Sequence, residues 1–363
     1  MAHMIDETTG MAAIAYVGET PWHKLGQRLT AGASIDVWRQ QAGLDYSVLR
    51  APVQFERLML DNIGTGDVLI PTERVTMPER HALYRSDTGA PLSVVSKDYK
   101  VVQPGEVLDF FGKLAEIGGF ELETAGALSD GKRIWALAKV SDGAPIIGQD
   151  VVRPYVLLAT SYDGTMATTA KFTAIRVVCN NTITMAVGAY DPATGLNRGS
   201  TEQDTEGRAV SSLVRIPHSK IFDPDAVRLD LGIVANVWER WLVQTRVLAE
   251  RDMNADQADR FMAKLLTSIQ PAPRDGKPLP DVRKSKGYER LMSMFADGNL
   301  IGDDMTGGLN RWRALNCVTE WVDHERGKSD DTRMTSAWFG AGEGIKNRAY
   351  DMLMSEDEFK VAA

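Results

Sequence analysis

Apolar and polar positions alternate in two different rhythms along this chain, and the changes of rhythm mark its elements. Between Ser34 and Gly43, Ile35, Trp38 and Ala42 recur at helical spacing, with Ser34 placed to cap the first turn and Gly43 to end the helix. Residues 51–90 read instead as strands, broken by the turn-forming stretches DNIGTGD and SDTGAP. LSVVSKDYKVV is strand-like. Pro104 then opens a helix at its favoured first position, with Glu106 in the first turn. Val107, Phe111 and Leu114 form its apolar stripe, and Gly118-Gly119 ends it. FELETAGAL and RIWALAKV flank the turn SDGK as a hairpin. PYVLLATSY and TMATTAKFTAIRVV make another around Asp163-Gly164. The strand closing this region runs into Cys179, Asn180 and Asn181. Asparagine favours helix N-caps, so a helix is expected from Thr182.

The second half changes character. Residues 191–215 are polar and turn-rich, which predicts a loop. Asp223-Pro224-Asp225 starts a long helix with Val227, Leu231, Val234, Trp238, Trp241 and Leu248 on one face. Asn254 caps another, carrying Phe261, Leu265 and Ile269. QPAPRDGKPLPDVRKSK reads as a linker, and helices follow over roughly 286–297, 309–326 and 340–354. The fold class expected is α+β: a twisted antiparallel β-meander packed on a long helix, with helical N- and C-terminal additions. The segments are 1–90 (arm and β/turn region), 91–190 (core), 216–270 (long helices) and 286–363 (C-terminal helices).

Composition narrows the function. The 363 residues are 44% hydrophobic and 25% charged, ordinary for a globular protein. A net charge of −8 argues against a generally basic binder but leaves room for a local basic face. No apolar run reaches the ~18 residues of a membrane span, and no signal-peptide pattern opens the chain. Two cysteines, Cys179 and Cys317, fit free thiols in a reducing cytoplasm.

Several stretches could carry chemistry. GALSDGKR, residues 126–133, nearly matches a phosphate-binding P-loop. However, Arg133 replaces the magnesium-binding hydroxyl, and a strand rather than a helix follows Lys132. His3, His23, His81, His218 and His324 share no metal-ligand spacing, so no metal and no cofactor are expected. Cys179 is either a nucleophile or a buried plug beside the capping pair Asn180 and Asn181; the plug is the simpler reading. In PWHKLG, His23 could be catalytic, but Trp22 and His23 fit better as an anchor for the N-terminal arm.

RIWALAKV is the most informative strand. One face carries Ile134, Ala136, Ala138 and Val140, the other Arg133, Trp135, Leu137 and Lys139. That second face is basic and aromatic, as a platform for unpaired bases would be, although a half-buried strand with solvated ends has the same pattern. Lys97, Lys100, Lys132, Arg153, Lys171 and Arg176 lie in the same region. In the C-terminal helix, Arg311 and Arg313 flank Trp312, a hint of a second such patch.

YVGETPWHKLGQRL, VVSKDYKVVQPGE, AGALSDGKRIWALAKV, PYVLLATSYDGTMA, FTAIRVVCNNT and VTEWVDHERG…SAWFGAGEGIKNRA together resemble the phage/plasmid-like protein family with the DUF932 domain, from about Tyr16 to Met354. That resemblance implies a role in the DNA metabolism of a mobile element and brings no catalytic residue set. A topology-level similarity to Rad52-like single-strand annealing proteins rests on PGEVLDFFGKLAEIGGFELE followed by the two hairpins. It implies single-stranded DNA binding and annealing by a homo-oligomer, such as a ring, in the host cytoplasm. On that expectation Lys132, Arg133, Trp135 and Lys139 contact DNA first, with Lys171 and Arg176 next. The alternatives are a structural or interaction protein of a mobile element, binding a host-defence or replication partner, and an enzyme using Cys179 or His23.

Overall fold

The computed structural model describes residues 5–18, 25–59, 70–117, 120–178, 181–184, 190–191, 196–197, 213–231, 236–271, 279–327 and 330–355. Its strands are β1 (Ile14–Val17), β2 (Gln27–Leu29), β3 (Val48–Met59), β4 (Ile70–Arg85), β5 (Pro91–Ser96), β6 (Glu121–Leu128), β7 (Arg133–Lys139), β8 (Ala144–Ile147), β9 (Asp150–Ser161), β10 (Thr168–Arg176), β11 (Asn181–Thr184), β12 (Tyr190–Asp191), β13 (Leu196–Asn197) and β14 (Leu213–Ile216). Its helices are α1 (Ile35–Gln41), α2 (Pro104–Ile117), α3 (Pro224–Asp230), α4 (Asn236–Glu250), α5 (Ala255–Ser268), α6 (Lys286–Ala296), α7 (Arg311–Glu320), α8 (Asp330–Phe339) and α9 (Ala341–Met354).

The main sheet runs β11-β10-β9-β7-β6-β1-β2, antiparallel at every step except the last, where β1 and β2 are parallel. The outer edge of β10 is shared: β11 pairs along Thr173–Arg176 and β14 along Thr168–Lys171. Alternation decides the two faces. Ile134, Ala136 and Ala138 of β7, Val156 and Leu158 of β9 and Phe172 of β10 lie in one core with Val107, Phe111 and Leu114 of α2. Burying each large apolar side chain there is worth about 1.5–3 kcal/mol. The opposite face carries Trp135, Leu137, Tyr155, Leu157 and Ala159, and α8 covers part of it with Met334, Trp338 and Phe339.

A smaller antiparallel sheet, β3-β4-β5, is tied to the main one by buried tyrosines. Tyr99 donates its hydroxyl to the Ser161 carbonyl at 2.6 Å, Tyr162 to that of Val102 at 2.9 Å and Tyr46 to that of Gly131 at 3.2 Å. Beneath them Arg85 is buried against Asp6 and Asp87, its guanidinium 4.0 Å from the centre of the Tyr46 ring. Asp6 thereby fastens the N-terminal segment to the fold.

An α+β chain built on antiparallel sheets is as expected, and so are several boundaries. Ser34 accepts from the Val37 N–H at the start of α1, and Pro104 opens α2. Asn254 and Gln257 form a reciprocal capping box on α5. The turn SDGK is a hairpin loop with Ser129, Asp130 and Gly131 all at positive φ, and β7 follows Lys132, so no helix end is available for a phosphate.

Other expectations need correction. The N-terminal addition is mostly strand, with the seven-residue α1 its one described helix. No helix begins at Thr182. Residues 181–184 form β11, with Asn181 opposite Arg176, because an open edge of β10 was there to pair. The long helix from Asp223 is described as two pieces, α3 and α4. The turn DNIGTGD, Gly118-Gly119 and most of the loop 191–215 lie outside the described residues.

Candidate binding groove

Where α8 stops covering the outer face of the main sheet a groove remains, part of a cavity of about 770 Å³ whose lining also takes in Ile35 and Trp38 of α1, Phe111 and Glu116 of α2, and Phe120. Its floor comes from alternate residues of neighbouring strands: Tyr16, Thr124, Trp135, Leu137, Lys139, Arg153, Tyr155 and Ile175. Register explains the convergence, since Lys139 lies directly opposite Tyr155, and Leu137 opposite both Thr124 and Leu157. Arg333, Met334 and Trp338 of α8 form the facing wall, with Asp323 and His324. Those last two lie on a single π-helical turn, Trp321–Glu325, that continues α7. Such a turn widens the helix by one residue and swings its side chains out of the α-helical sequence of directions.

The floor grades from buried to open. Trp135 is 4% exposed and meets Trp338 edge-on, with ring centres 5.2 Å apart at 81°. Further along, Lys139 is half-buried between Asp142 at 2.9 Å and Glu121 at 3.1 Å. Its hydrogen bond to Asp142 raises its pKa above the usual lysine value. Tyr155 donates its hydroxyl to Glu123 Oε1 at 2.8 Å. Burial pushes the Glu123 carboxyl up from the ordinary value, and the tyrosine bond and Arg153 only partly oppose it. The indole N–H of Trp135 and the Nε–H of Arg153 are buried with no hydrogen-bond acceptor among the described residues. At the other end, Asp323 accepts from the Thr182 amide at 2.6 Å, the Thr182 hydroxyl at 3.0 Å and Lys346 Nζ at 2.6 Å.

Of the six cations and aromatics first expected to meet DNA, the structure brings two into this groove, Trp135 and Lys139. Lys132 sits half-buried in the hairpin turn, its carbonyl accepting from the Tyr162 amide. Arg133 is at the far end of β7, bonded to Thr165 Oγ1 at 2.8 Å and 3.7 Å from Asp163.

Lys171 and Arg176 are corrections. Lys171 is 2% exposed beneath α8 and α9, where it donates to the Trp338 carbonyl and, at 2.7 Å, to Glu343. Burial lowers its pKa. Arg176 points to the opposite face and is fully buried, bidentate to Asp150 at 2.7 and 2.9 Å and bonded to the carbonyls of Ile301 and Gly302 at 2.8 Å. Asp150 also accepts the indole N–H of Trp312 at 2.8 Å. Neither cation is placed to reach a phosphate.

The second patch fails for the same reason. Arg311, Trp312 and Arg313 are all buried, Arg311 donating to the Leu353 carbonyl at the end of α9 at 2.7 Å.

Trp22, His23, Cys179 and Asn180 lie outside the described residues, and of Asn181 only the backbone, in β11, is described. Cys317 is fully buried, and burial raises its thiol pKa far above the ordinary value, which leaves it a packing residue. Among the described residues, no group of three or more His, Cys, Asp or Glu side chains could hold a metal ion.

Sequence reasoning missed Glu123, Tyr155, Arg333, Trp338, Asp323 and His324 as groove residues. The period-two pattern Arg153, Tyr155, Leu157, Ala159 was legible as a second basic-aromatic strand face. The α8 wall had no such signal, because it is a long-range contact.

Neither a curated protein nor a solved structure matches the chain in these comparisons. Residues 91–194 and 204–338 match the family model described as Domain of unknown function (DUF932), a match that takes in β5 through α7, the π-helical turn and most of α8. With well over half its length matched, and with the groove's floor apart from Tyr16 and its facing wall inside the matched residues, the chain belongs to the DUF932 family.

Proposed function

We propose that this is a single-stranded DNA-binding and strand-annealing protein of a phage or plasmid, acting as a homo-oligomer without covalent catalysis. The observation that supports it most is the convergence of Lys139, Arg153 and Arg333 with aromatic side chains in one groove open along the sheet. Trp338 and Phe120, half-buried in its walls, offer ring faces to bases, with Trp135 and Tyr155 packed behind them. The cations take the phosphates. Acids share the groove, but Glu121 is paired with Lys139, Glu123 with Tyr155, and Asp323 with Lys346 and Thr182. The ligand is therefore held by few charges. Three phosphate contacts give a slope of about −2 in log K against log salt for a single strand.

Fluorescence anisotropy of a labelled single-stranded oligonucleotide against the purified full chain, across a salt series, tests this. Binding with that shallow slope supports the reading, and absence of binding at low salt refutes it. A second reading, an interaction protein that holds an extended segment of a protein partner, is favoured by the groove's mixed charge: Glu116, Glu121, Glu123 and Asp323 against Lys139, Arg153 and Arg333. It predicts a stable protein complex that is lost on substituting groove residues, with no affinity for DNA.

A further inference from the structure

The small sheet ends in an unusual projection. Among the described residues, β5 pairs with β4 only from Arg80 to Tyr84, whereas β3 and β4 go on pairing from Val53↔Met77 to Arg57↔Glu73 and beyond. This part is a two-stranded ribbon, and a two-stranded ribbon alone in water is marginally stable. Register and alternation give it two unlike faces. One carries Gln54 hydrogen-bonded to Thr76 and Glu56 near Arg74, as befits a solvated surface. The other carries the cross-strand pairs Val53–Met77 and Phe55–Val75, followed by the ion pair Arg57–Glu73. Phe55 is 49% exposed and Met77 42%. An amphipathic ribbon with its apolar face uncovered is built to be covered.

The charge pattern of that face says by what. Consider a second ribbon laid face to face, related by a two-fold axis parallel to the strands. The rotation places β3 of one copy over β4 of the other. Phe55 then faces Val75 of the second copy, Val53 faces Met77, Arg57 faces Glu73 and Glu73 faces Arg57. Apolar meets apolar and each charge meets its opposite, with no further residue required. The same face offered to nucleic acid presents a carboxylate for every cation.

We propose that the Val53–Phe55–Arg57/Glu73–Val75–Met77 face is a homodimer interface, two copies pairing their β3–β4 ribbons face to face about a two-fold axis along the strands. This rests on the oligomer part of the proposed function and not on the groove. The paired segment spans five residues per strand, about 17 Å. It is well short of the ~800 Å² per partner of a standard interface, so the dimer is weak and concentration-dependent.

Sedimentation velocity of the full chain without DNA, from low to high micromolar, tests it. The sedimentation coefficient should climb from monomer to dimer across that range. Phe55→Asp with Val75→Asp should remain monomeric throughout with a nearly unchanged thermal melt, since Phe55 is exposed and Val75 half-buried in the single chain. The decisive arm uses two charge variants. Arg57→Glu makes the face wholly acidic and Glu73→Arg makes it wholly basic, so each alone should lose dimerisation by tenfold or more. An equimolar mixture should regain it as a heterodimer. A wild type that stays monomeric overturns the proposal, as do variants that dimerise like wild type or a mixture that fails to recover. Because no DNA is present, none of these results bears on the groove.

Discussion

Two regions of the main sheet carry the same kinds of side chain and use them in opposite ways. At the β10–β11 edge, Lys171 and Arg176 are sealed under the C-terminal helices, the first on Glu343 and the second on Asp150, and Lys346 reaches back from α9 to Asp323. On β7 and β9, with Arg153 directly opposite Ile175 and so next to Arg176 in register, Lys139 and Arg153 line an open groove with Trp135 and Tyr155. Strand position does not separate the two groups, and neither does residue type. The difference is what lies on top. Cations covered by helices are locked in buried ion pairs, whereas Lys139 and Arg153 line the groove, Lys139 in pairs with exposed carboxylates.

Breaking the sealed region should have the largest effect. Arg176→Met leaves Asp150 buried with only the Trp312 indole as a side-chain donor, among the bonds described. It should destabilise the protein by about 3–5 kcal/mol, read as a drop in the urea midpoint at constant m-value. Lys171→Met should likewise lose several kcal/mol, because Glu343 stays buried. Adding Glu343→Leu should recover most of that loss, since replacing a whole buried pair by apolar groups is near neutral. Failure of the double variant to recover would mean that the pair does more than offset its own burial.

The open region should behave the other way round. Lys139→Ala with Arg153→Ala removes a half-buried lysine whose partners Glu121 and Asp142 are both exposed, pairs worth less than about 1 kcal/mol each. Stability should hardly move, while the salt slope for single-stranded DNA should fall by about 0.7 per cation removed.

A smaller effect comes from Glu123. Burial holds its folded pKa above its unfolded one, so between the two the unfolded chain binds fewer protons than the native one. This group therefore makes the protein less stable as pH rises through that window. Its negative charge also stands beside Arg153 in the groove, so DNA affinity should strengthen as pH falls through the same window. Glu123→Gln should flatten both profiles at the low-pH level. A pH profile identical to wild type would remove Glu123 from the groove's electrostatics.

Local rules made much of this fold legible. Ser34, Pro104 and Asn254 marked helix starts because capping chemistry is contained in a few adjacent residues, and Asp163-Gly164 marked a hairpin for the same reason. The helix expected at Thr182 fails because Asn180-Asn181 carries a capping preference that the open edge of β10 overrides. Trp135 and Lys139 were legible as groove residues from the alternation in RIWALAKV. Lys171 was misread because β10 has the same alternation and only the distant Glu343, Trp338 and Lys346 show it to be covered. For Arg176 the partner was nearer in sequence, Asp150, but Trp312 and the Ile301 and Gly302 carbonyls that complete its site come from the C-terminal half.

The most direct test sets the two regions against each other in one assay: the salt dependence of single-stranded DNA anisotropy for wild type, for Lys139→Ala/Arg153→Ala and for Lys171→Met/Glu343→Leu, all confirmed folded. The account predicts a shallower slope and weaker binding for the first variant and a curve overlying wild type for the second. Equal losses in both, or no loss in the first, would contradict the claim that uncovered cations bind the strand and covered ones only hold the fold.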